Sequence, residues 1–541
     1  MMKTIQKKMI LISRAFSLAI PILAVLSSAA YATTPGVSGT SFVLSARQAF
    51  ITQPDGSMVY SWGYSCDTGG DAKAVPFDPG TACNGTMQIP GPTLIVQAPS
   101  SGTTTVKIQL TNNLPAAAGN TSILFPGFLV STSGGTPGLL TQEAAPGNPV
   151  TYTLTIPYTA AGTHAYYSGT QGDLQVEMGL YGAIVVLPAL STTVNSACTG
   201  GVHSSNHQAE SARDETVYRL APAAYNHVGA CYDREYLFQF SEMDPRIHRE
   251  AEEQLAAIKS CIPSTTVTCA KSLNVATEPY VPAYFMVNGR SMPDLMDASY
   301  TPQYPHQPYN GNPHMHPGEL VLLRVIGQGR WQHPFHEHGN HVRILGRDGN
   351  LITSSFNPET NLAGPLLFTT TTTPGQAFDG IYYWTGKGLN WDAYGHNPSS
   401  SDPNAKLACS PDENGYNTGN PAAINYFEWC QDHNKPMQAT PVGDVPNGGP
   451  ATLPDPNIFA NGTWYGGSPY LGANATIRAV GSTGTTPPSG TVGNSPSDEA
   501  GFAFMWHSHN EREITTNNIF PGGMMMMMLV DSREFVIDEK K

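Results

Sequence analysis

Two short segments of the chain concentrate histidine at a spacing that suits metal binding. The first holds His333, His336 and His338, and the second holds His507 and His509. Residues two apart in an extended strand share a face, so each His-x-His pair can aim two imidazoles at one point. Imidazole is a good ligand for copper and for zinc, and two such pairs predict a metal site. The alternative is that these rings are stacked, hydrogen-bonded histidines of a protein core.

Both segments resemble copper motifs of the multicopper oxidases. The third motif of that family, HPxHLHG, reads HPFHEHG from His333 in this chain, and the fourth, HCHxxxH, reads HSHNERE from His507. Other phrases extend the resemblance over most of the chain: Gly91–Leu94, Thr111–Leu114, Gly179–Gly182, Val287–Arg290 and Pro521–Met524. The resemblance implies repeated cupredoxin sandwiches, a type 1 copper that takes electrons from a donor, and a three-copper cluster that reduces dioxygen.

Two departures from the family pattern remove the ligands that the first sandwich would supply. The first motif, HWHG, reads LFPG from Leu124, so that Leu124 and Pro126 replace both histidines. The second motif, GTYWYHSH, reads GTHAYYSG, so that Tyr167 and Gly169 stand at its two histidine positions. The resemblance therefore implies that the first sandwich contributes no imidazole to a cluster.

The type 1 site departs from the family pattern as well. Ser508 stands at the position of the thiolate and Glu513 at the position of the second imidazole, which leaves only His333. Blue copper centres need a soft thiolate together with two imidazoles, and a neutral hydroxyl cannot replace the thiolate. The complete oxidase cycle is therefore not expected of this chain.

The ligands that remain by this resemblance belong to the second sandwich. They are His336, His338, His507 and His509, with His333 as a further candidate. We predict that they hold about one copper per chain. Any copper-dependent oxidoreductase activity would be limited to this reduced copper set.

Two other features offer alternative copper ligands. A Pro-rich loop carries His306, His314 and His316, and the terminal run Met524–Met528 includes a position near the axial ligand of the family. Methionine can bind Cu(I). Packing of a terminal strand explains the methionine run at least as well, and Pro-rich surface loops often carry histidines that bind nothing.

The N-terminus has the pattern of a secretory signal peptide over residues 1–32. Cationic residues precede an apolar stretch from Ala15 to Leu26, and small residues at Ala30-Tyr31-Ala32 end it. This pattern predicts export to the periplasm or the cell exterior. No later stretch reaches the roughly 18 uninterrupted apolar residues of a membrane span.

The composition predicts an all-β protein with an acidic surface. Charged residues make up only 13% of the chain, which contains 54 glycines and 45 prolines, as expected for short strands joined by turns. The formal net charge is -14, and removal of the four signal-peptide cations takes it to about -18. Such a charge argues against nucleic acid and anionic lipid as partners.

The eight cysteines fall as near neighbours along the chain: Cys66 and Cys83, Cys198 and Cys231, Cys261 and Cys269, Cys409 and Cys430. An even number in an oxidising compartment favours local disulfides. Eight cysteines allow many connectivities, and the sequence does not choose among them.

The domain organisation is predicted as two cupredoxin-like Greek-key sandwiches. The first spans 41–190, a Cys-containing bridge with one helix spans 191–280, and the second spans 281–531 with a large loop-rich insertion at 385–501. The helix is expected over Ile247–Ile258, capped by Asp244.

The leading hypothesis is an exported multicopper-oxidase-like protein that binds copper. The first alternative is a metal-free cupredoxin scaffold that binds another exported protein through its acidic surface and insertion. The second is an oxidase whose missing ligands come from a different partner chain. The sequence does not decide whether the chain forms a homo-oligomer.

Overall fold

A computed structural model describes most of the chain. The described residues are 34–75, 83–215, 219–387, 410–423, 425–431, 467–471, 492–493, 501–531, 533 and 535–537. The predicted signal peptide, residues 1–32, and Cys409 lie outside them, so the predicted Cys409–Cys430 bridge is not described. Strands dominate the described residues and helices are few, which confirms the predicted all-β class.

The described residues of the first sandwich form twelve strands. They are β1 Val37–Ser38, β2 Ser41–Thr52, β3 Met58–Cys66, β4 Lys73–Ala74, β5 Leu94–Gln97, β6 Thr103–Asn112, β7 Leu129–Gly134, β8 Thr136–Pro137, β9 Gln142–Glu143, β10 Pro149–Pro157, β11 Gly162–Tyr167 and β12 Tyr181–Leu187. One sheet has the order β11-β12-β5-β1-β4 and the facing sheet β3-β2-β6-β10-β7. A short helix, α1 Gly172–Gln175, and a 3₁₀ turn, Ala116–Ala118, lie in the connections.

Strand β10 shows why this sequence forms a sandwich. Its residues alternate between the core and the surface, with Val150, Tyr152, Leu154 and Ile156 buried. The period of two places all four side chains on the inner face, where each buried aliphatic side chain contributes about 1.5–3 kcal/mol. The same four residues belong to the apolar core between the two sheets.

The region 191–280 contains more regular structure than the single predicted helix. Besides α4 Pro245–Ser260, it contains α2 Thr192–Thr199, α3 Gly201–Ser211, a 3₁₀ turn at Val228–Ala230 and strand β13 Arg234–Met243. As predicted, Asp244 caps α4, since its Oδ1 accepts a hydrogen bond from the backbone N of Arg246 at 3.0 Å. Helices α2 and α3 were not predicted, because they are rich in Ser, Thr and Asn, which are weak helix formers.

The second sandwich uses β13 together with later strands. They are β14 Tyr284–Val287, β15 His314–Met315, β16 Leu320–Gly327, β17 His333–Glu337, β18 Val342–Arg347, β19 Asn350–Leu351, β20 Leu366–Leu367, β21 Thr369–Thr372, β22 Ala377–Tyr383, β23 Gly467–Leu471, β24 Val492–Gly493, β25 Gly501–Ser508 and β26 Met525–Asp531. One sheet has the order β14-β13-β16-β22-β18-β19, with β20 beside β18. The other has the order β15-β26-β25-β17-β21, with β23 beside β25 and β24 beside β23. Two 3₁₀ turns are at Asp294–Met296 and Glu511–Ile514.

The two sandwiches contact each other through small side chains. Ala165 and Ala183 of the first sandwich pack against Leu237, Ile326 and Ala377 of the second in one buried cluster. Alanine lets two sheets approach closely because it carries only one side-chain carbon. Strands β13 and β16 pair in parallel and carry Leu237 and Ile326. They therefore belong to the face of the second sandwich that contacts the first.

Part of the insertion 385–501 is anchored on the second sandwich. Trp429 is buried in the core of that sandwich, and the Nε of Arg533 donates to the backbone oxygen of Tyr426 at 3.0 Å. Strand β23 extends the sheet by pairing with β25. Within the described residues, no helix is long and apolar enough to cross a membrane.

The predicted local disulfides are present for three pairs. Cys66 bonds to Cys83, Cys198 to Cys231 and Cys261 to Cys269. These three predictions are confirmed.

Candidate metal centre

Two neighbouring strands bring the His-x-His pairs together. Strands β17 and β25 pair antiparallel, and in that register His336 lies directly opposite His507. Both strands end close to this point, so His338 and His509, one residue past the end of each strand, remain close to the pair. The cluster follows from the strand register, which sequence spacing alone does not give.

The ring nitrogens of His336, His338 and His507 converge on one point. One ligand atom from each ring lies within 4.8 Å of the other two. The Nε2 atoms of His338 and His507 are 3.3 Å apart. Three imidazoles at this separation can bind a single metal ion after small rotations of the rings, since copper and zinc take imidazole nitrogens as ligands.

Two of these rings are oriented by hydrogen bonds of their Nδ1 atoms. His336 Nδ1 lies 2.6 Å from the hydroxyl of Thr369 on β21, and His507 Nδ1 lies 2.7 Å from the backbone oxygen of Ser508. Because a carbonyl oxygen can only accept a hydrogen bond, Nδ1 of neutral His507 carries the proton and donates it in this bond, which leaves Nε2 of that ring unprotonated. Partners of this kind orient metal-binding histidines and set their tautomer. Thr369 was not anticipated, because only the pairing of β17 with β21 reveals it.

The electrostatic environment keeps the rings of His336 and His507 neutral. Burial and the nearby rings of His338, His507 and His509 lower the pKa of His336 to about 3. Burial also lowers the pKa of His507, with the ring of His509 acting in the same direction. Neutral imidazole is the form that binds a metal, so this cluster suits a cation at ordinary pH. The three-histidine set therefore fits copper.

His509 lies at the edge of the cluster. Its ring centroid is 4.7 Å from that of His336 and 5.6 Å from that of His507. The side chain is exposed, unlike those of His336 and His507. The structure thus brings three of the predicted ligands into one group and places the fourth beside it.

Glu337 and three methionines of the run Met524–Met528 point away from the cluster. Glu337, between His336 and His338, is fully buried on the opposite face of β17, and burial raises the pKa of its carboxyl well above the usual range. Met524, Met526 and Met528 are buried in the core of the second sandwich. The packing explanation of the methionine run accounts for these three side chains.

His333 lies in a different environment from the cluster. Its Nδ1 is 2.9 Å from Glu513 Oε2 and its Nε2 is 2.9 Å from Glu242 Oε2. Ser508 donates a hydrogen bond to the same Glu513 oxygen at 2.5 Å. The three residues at type 1 positions therefore do converge, but both nitrogens of His333 bond to carboxylates, and the set does not fit a type 1 copper.

Sequence reasoning missed Glu242. It lies on β13, in the region assigned to the bridge, and comes next to His333 only because β13 belongs to the second sandwich. Its carboxylate also accepts hydrogen bonds from the backbone N of Arg330 at 2.7 Å and of Trp331 at 2.9 Å. The available signal was an acidic residue just after the strand-like Arg234–Phe240, because a carboxylate that is buried there needs a hydrogen-bonding partner.

Two histidines of the Pro-rich loop, His314 and His316, are buried in an ion-pair network, whereas His306 is partly buried and its Nδ1 lies 2.7 Å from the backbone oxygen of Met87. His314 Nδ1 lies 2.5 Å from Asp531 Oδ2, and His316 Nε2 lies 3.0 Å from Glu215 Oε2. Arg234 pairs with Glu215 and, at 2.6 Å, with Glu319. The guanidinium supplies the positive charge that a metal would bring, so this group is an ion-pair network of the core.

A comparison with protein-family models agrees with the resemblance that the motifs indicated. The multicopper oxidase family model matches residues 276–382, which include β17. The chain is thus multicopper-oxidase-like, as the motifs indicated. Among curated protein sequences, none matches the chain significantly.

Three solved structures of copper proteins align with the chain at low sequence identity. A multicopper oxidase named mgLAC is 13% identical, with a TM-score of 0.40, over 91% of this chain and 86% of that chain. A blue copper oxidase from Nitrosomonas europaea is 14% identical, with a TM-score of 0.41, over 91% and 85%. A copper nitrite reductase from Nitrosomonas europaea is 15% identical, with a TM-score of 0.37, over 64% and 84%.

Proposed function

We propose that the chain is an exported copper-binding protein of multicopper-oxidase-like fold. It holds about one copper per chain at His336, His338 and His507, with His509 as an additional ligand. The observation that supports this proposal most directly is the convergence of three ring nitrogens within 4.8 Å of one another. The signal-peptide pattern of residues 1–32 supports export.

The proposed site binds a metal, but the chain lacks the other copper ligands that an oxidase of this family needs. The residues at the type 1 positions form an ion pair with a serine beside it, and Leu124, Tyr167 and Gly169 of the first sandwich offer no imidazole. Copper at the three histidines would supply a single redox-active ion. Any oxidoreductase activity is therefore that of a reduced copper set and not four-electron reduction of dioxygen.

Metal analysis of the mature chain tests the proposal. The protein is loaded with Cu(II), freed of unbound metal by gel filtration and measured for copper by plasma mass spectrometry. We expect about one copper per chain for the wild type and loss of that copper in His336→Ala/His507→Ala. A parallel zinc loading determines which of the two metals the site prefers.

His341→Ala is the matched control. The ring of His341 lies 5.0 Å from Phe368, which also contacts His336, but His341 belongs to no group of converging ligand atoms in the described residues. This variant should keep the full copper content. Full copper content in the double variant would instead place the metal elsewhere, and absence of copper from the loaded wild type would favour a metal-free scaffold.

A further inference from the structure

A cavity of about 300 Å³ lies at the boundary between the two sandwiches. Leu124, Tyr167 and Gly169, which replace histidines of the family pattern, all line it. From the second sandwich, Gln328 and Gly375 complete the wall. Small-molecule sites in proteins have volumes of roughly 300–1,000 Å³, so the cavity is large enough for a small ligand.

Most of the wall is apolar. Leu124, Leu140, Val176 and Pro374 line the cavity together with glycine backbone, and none of the lining residues is charged. Gly169 has a packing role, since a Cβ at this position would lie 2.7 Å from Leu124 Cγ. An ion inside this cavity would find no counter-charge, so the wall favours a neutral ligand.

The hydroxyl of Tyr167 is one of two polar groups available to a ligand. The backbone of Tyr167 is fixed, because its carbonyl oxygen accepts a hydrogen bond from Leu124 N at 2.7 Å. Burial alone raises the pKa of the Tyr167 hydroxyl, and no described residue hydrogen-bonds to it. A Cβ at Gly375 would lie 3.2 Å from this oxygen, so the glycine keeps the hydroxyl open.

The carbonyl oxygen of the Gln328 side chain is the second polar group. The amide nitrogen of Gln328 donates to Gly182 O at 2.9 Å and to Gln239 Oε1 at 3.1 Å, which fixes the orientation of the side chain. No described residue donates to the carbonyl oxygen. Ser168 also lines the cavity, but its hydroxyl already donates to Gln175 Oε1 at 2.7 Å.

We propose that this cavity binds a small neutral molecule with an apolar body and one hydroxyl group. The ligand hydroxyl donates to the carbonyl oxygen of Gln328 and accepts from the hydroxyl of Tyr167, and the body of the ligand packs against Leu124 and Val176. A hydroxyl is the smallest neutral group that can donate and accept at the same time. This proposal is independent of copper.

Binding of three cyclohexane derivatives tests the proposal. Cyclohexanol, methylcyclohexane and cyclohexanecarboxylate share one ring and differ in having a hydroxyl, no polar group, or a charge. The full mature chain is treated with a chelator and titrated with each compound, and binding is followed by ligand-observed NMR. We expect cyclohexanol to bind about tenfold more tightly than methylcyclohexane, and cyclohexanecarboxylate not to bind.

Two variants assign the binding to this cavity. Tyr167→Phe should weaken cyclohexanol about tenfold and leave methylcyclohexane unchanged, because only a hydroxyl is removed. Gly172→Phe should block both compounds. Gly172 lines the cavity, and a Cβ there meets no atom within 4 Å, so the fold tolerates the substitution. Gly419→Phe is the control, since a Cβ at Gly419 likewise meets no atom within 4 Å and Gly419 does not line the cavity.

Three results would overturn the proposal. The first is that no cyclohexane derivative binds up to its solubility limit. The second is that cyclohexanol binds no more tightly than methylcyclohexane. The third is that Gly172→Phe and Gly419→Phe bind cyclohexanol equally well, which would place the binding outside this cavity.

Discussion

The imidazole of His333 and the carboxylate of Glu513 form a buried ion pair, with Nδ1 2.9 Å from Oε2. On the other side of the ring, Nε2 lies 2.9 Å from Glu242 Oε2. An imidazole that bonds to carboxylates through both nitrogens carries a proton on each. At positions that resemble a type 1 copper site, a protonated histidine therefore supplies the positive charge.

This ion pair predicts a pH dependence of stability. Burial by itself lowers the pKa of His333, but the hydrogen bonds to Glu242 and Glu513 outweigh it and raise the pKa to about 9. A raised pKa means that the stabilisation is complete below the unfolded value of about 6.5 and is lost as the pH rises through about 9. We expect a loss of roughly 3 kcal/mol in the free energy of unfolding over this window. Urea unfolding at a series of pH values measures it.

Two histidine variants separate this effect from general alkaline destabilisation. His333→Gln should be less stable than the wild type at pH 6.5 and should lose less stability between pH 6.5 and 9. His164→Gln is the control, because His164 is also buried but its Nε2 faces only a backbone oxygen, that of Ala160 at 3.0 Å. A His333→Gln protein that loses as much stability as the wild type over this window would contradict the prediction.

The disulfides give a second prediction about stability. The Cys198–Cys231 bridge closes 33 residues between buried side chains, whereas Cys261–Cys269 closes 8 residues near the surface. Because the longer loop loses more entropy in the unfolded chain, removal of the first bridge should cost about 1 kcal/mol more than removal of the second, before any loss of packing. Urea unfolding of the Cys198→Ala/Cys231→Ala and Cys261→Ala/Cys269→Ala proteins compares the two costs. Equal costs would show that loop closure does not control this difference.

The sequence predicted the parts of the fold that depend on local patterns. Alternation of buried and exposed residues, as in Val150 to Ile156, indicates strands, and Asp244-Pro245 marks the start of a helix. The local cysteine pairs were also predicted. These signals come from residues that are close together in the sequence, so they can be recognised without the tertiary structure.

Contacts between distant strands could not be predicted in the same way. Glu242 and His333 are 91 residues apart and meet because β13 joins the sheet of the second sandwich. His314 and His316, interpreted as a candidate surface loop, are buried beside carboxylates that come from both earlier and later in the chain. Which face of a strand meets which neighbour is a property of the sheet register, and no local spacing contains it.

A buried carboxylate links the two sandwiches, and its removal should lower the free energy of unfolding. Asp379 on β22 accepts hydrogen bonds from the hydroxyl of Thr163 in the first sandwich at 2.6 Å and from the hydroxyl of Tyr225 at 2.6 Å. It also lies 3.5 Å from Arg324. Asp379→Asn removes the negative charge and leaves Arg324 with less compensation, so we expect a loss of about 3–5 kcal/mol in the free energy of unfolding.

The ion pair of Arg330 with the exposed Glu278 is the control for that substitution. Its atoms are 2.6 Å apart and the Glu278 side chain is 70% exposed, so Glu278→Gln should cost about 1 kcal/mol or less. Urea unfolding of both variants gives the comparison. Similar losses would mean that Asp379 contributes no more than a surface ion pair.

The last prediction concerns colour and turnover. The copper-loaded protein should show no intense blue thiolate band and should not consume dioxygen with a phenolic donor at enzymatic rates, because Ser508 offers no thiolate. Ser508→Cys should also fail to turn blue. The nitrogens of His333 are already bonded to Glu242 and Glu513, and Glu513 stands where a second imidazole is needed. Visible spectra and oxygen uptake of both proteins test this.

Ser508→Cys/Glu513→His is the informative comparison, since it supplies the thiolate and the second imidazole and frees one nitrogen of His333. A blue band in Ser508→Cys alone would show that His333 can leave its carboxylate partners to bind copper, and a blue band in the wild type would show that a thiolate from another position binds the metal.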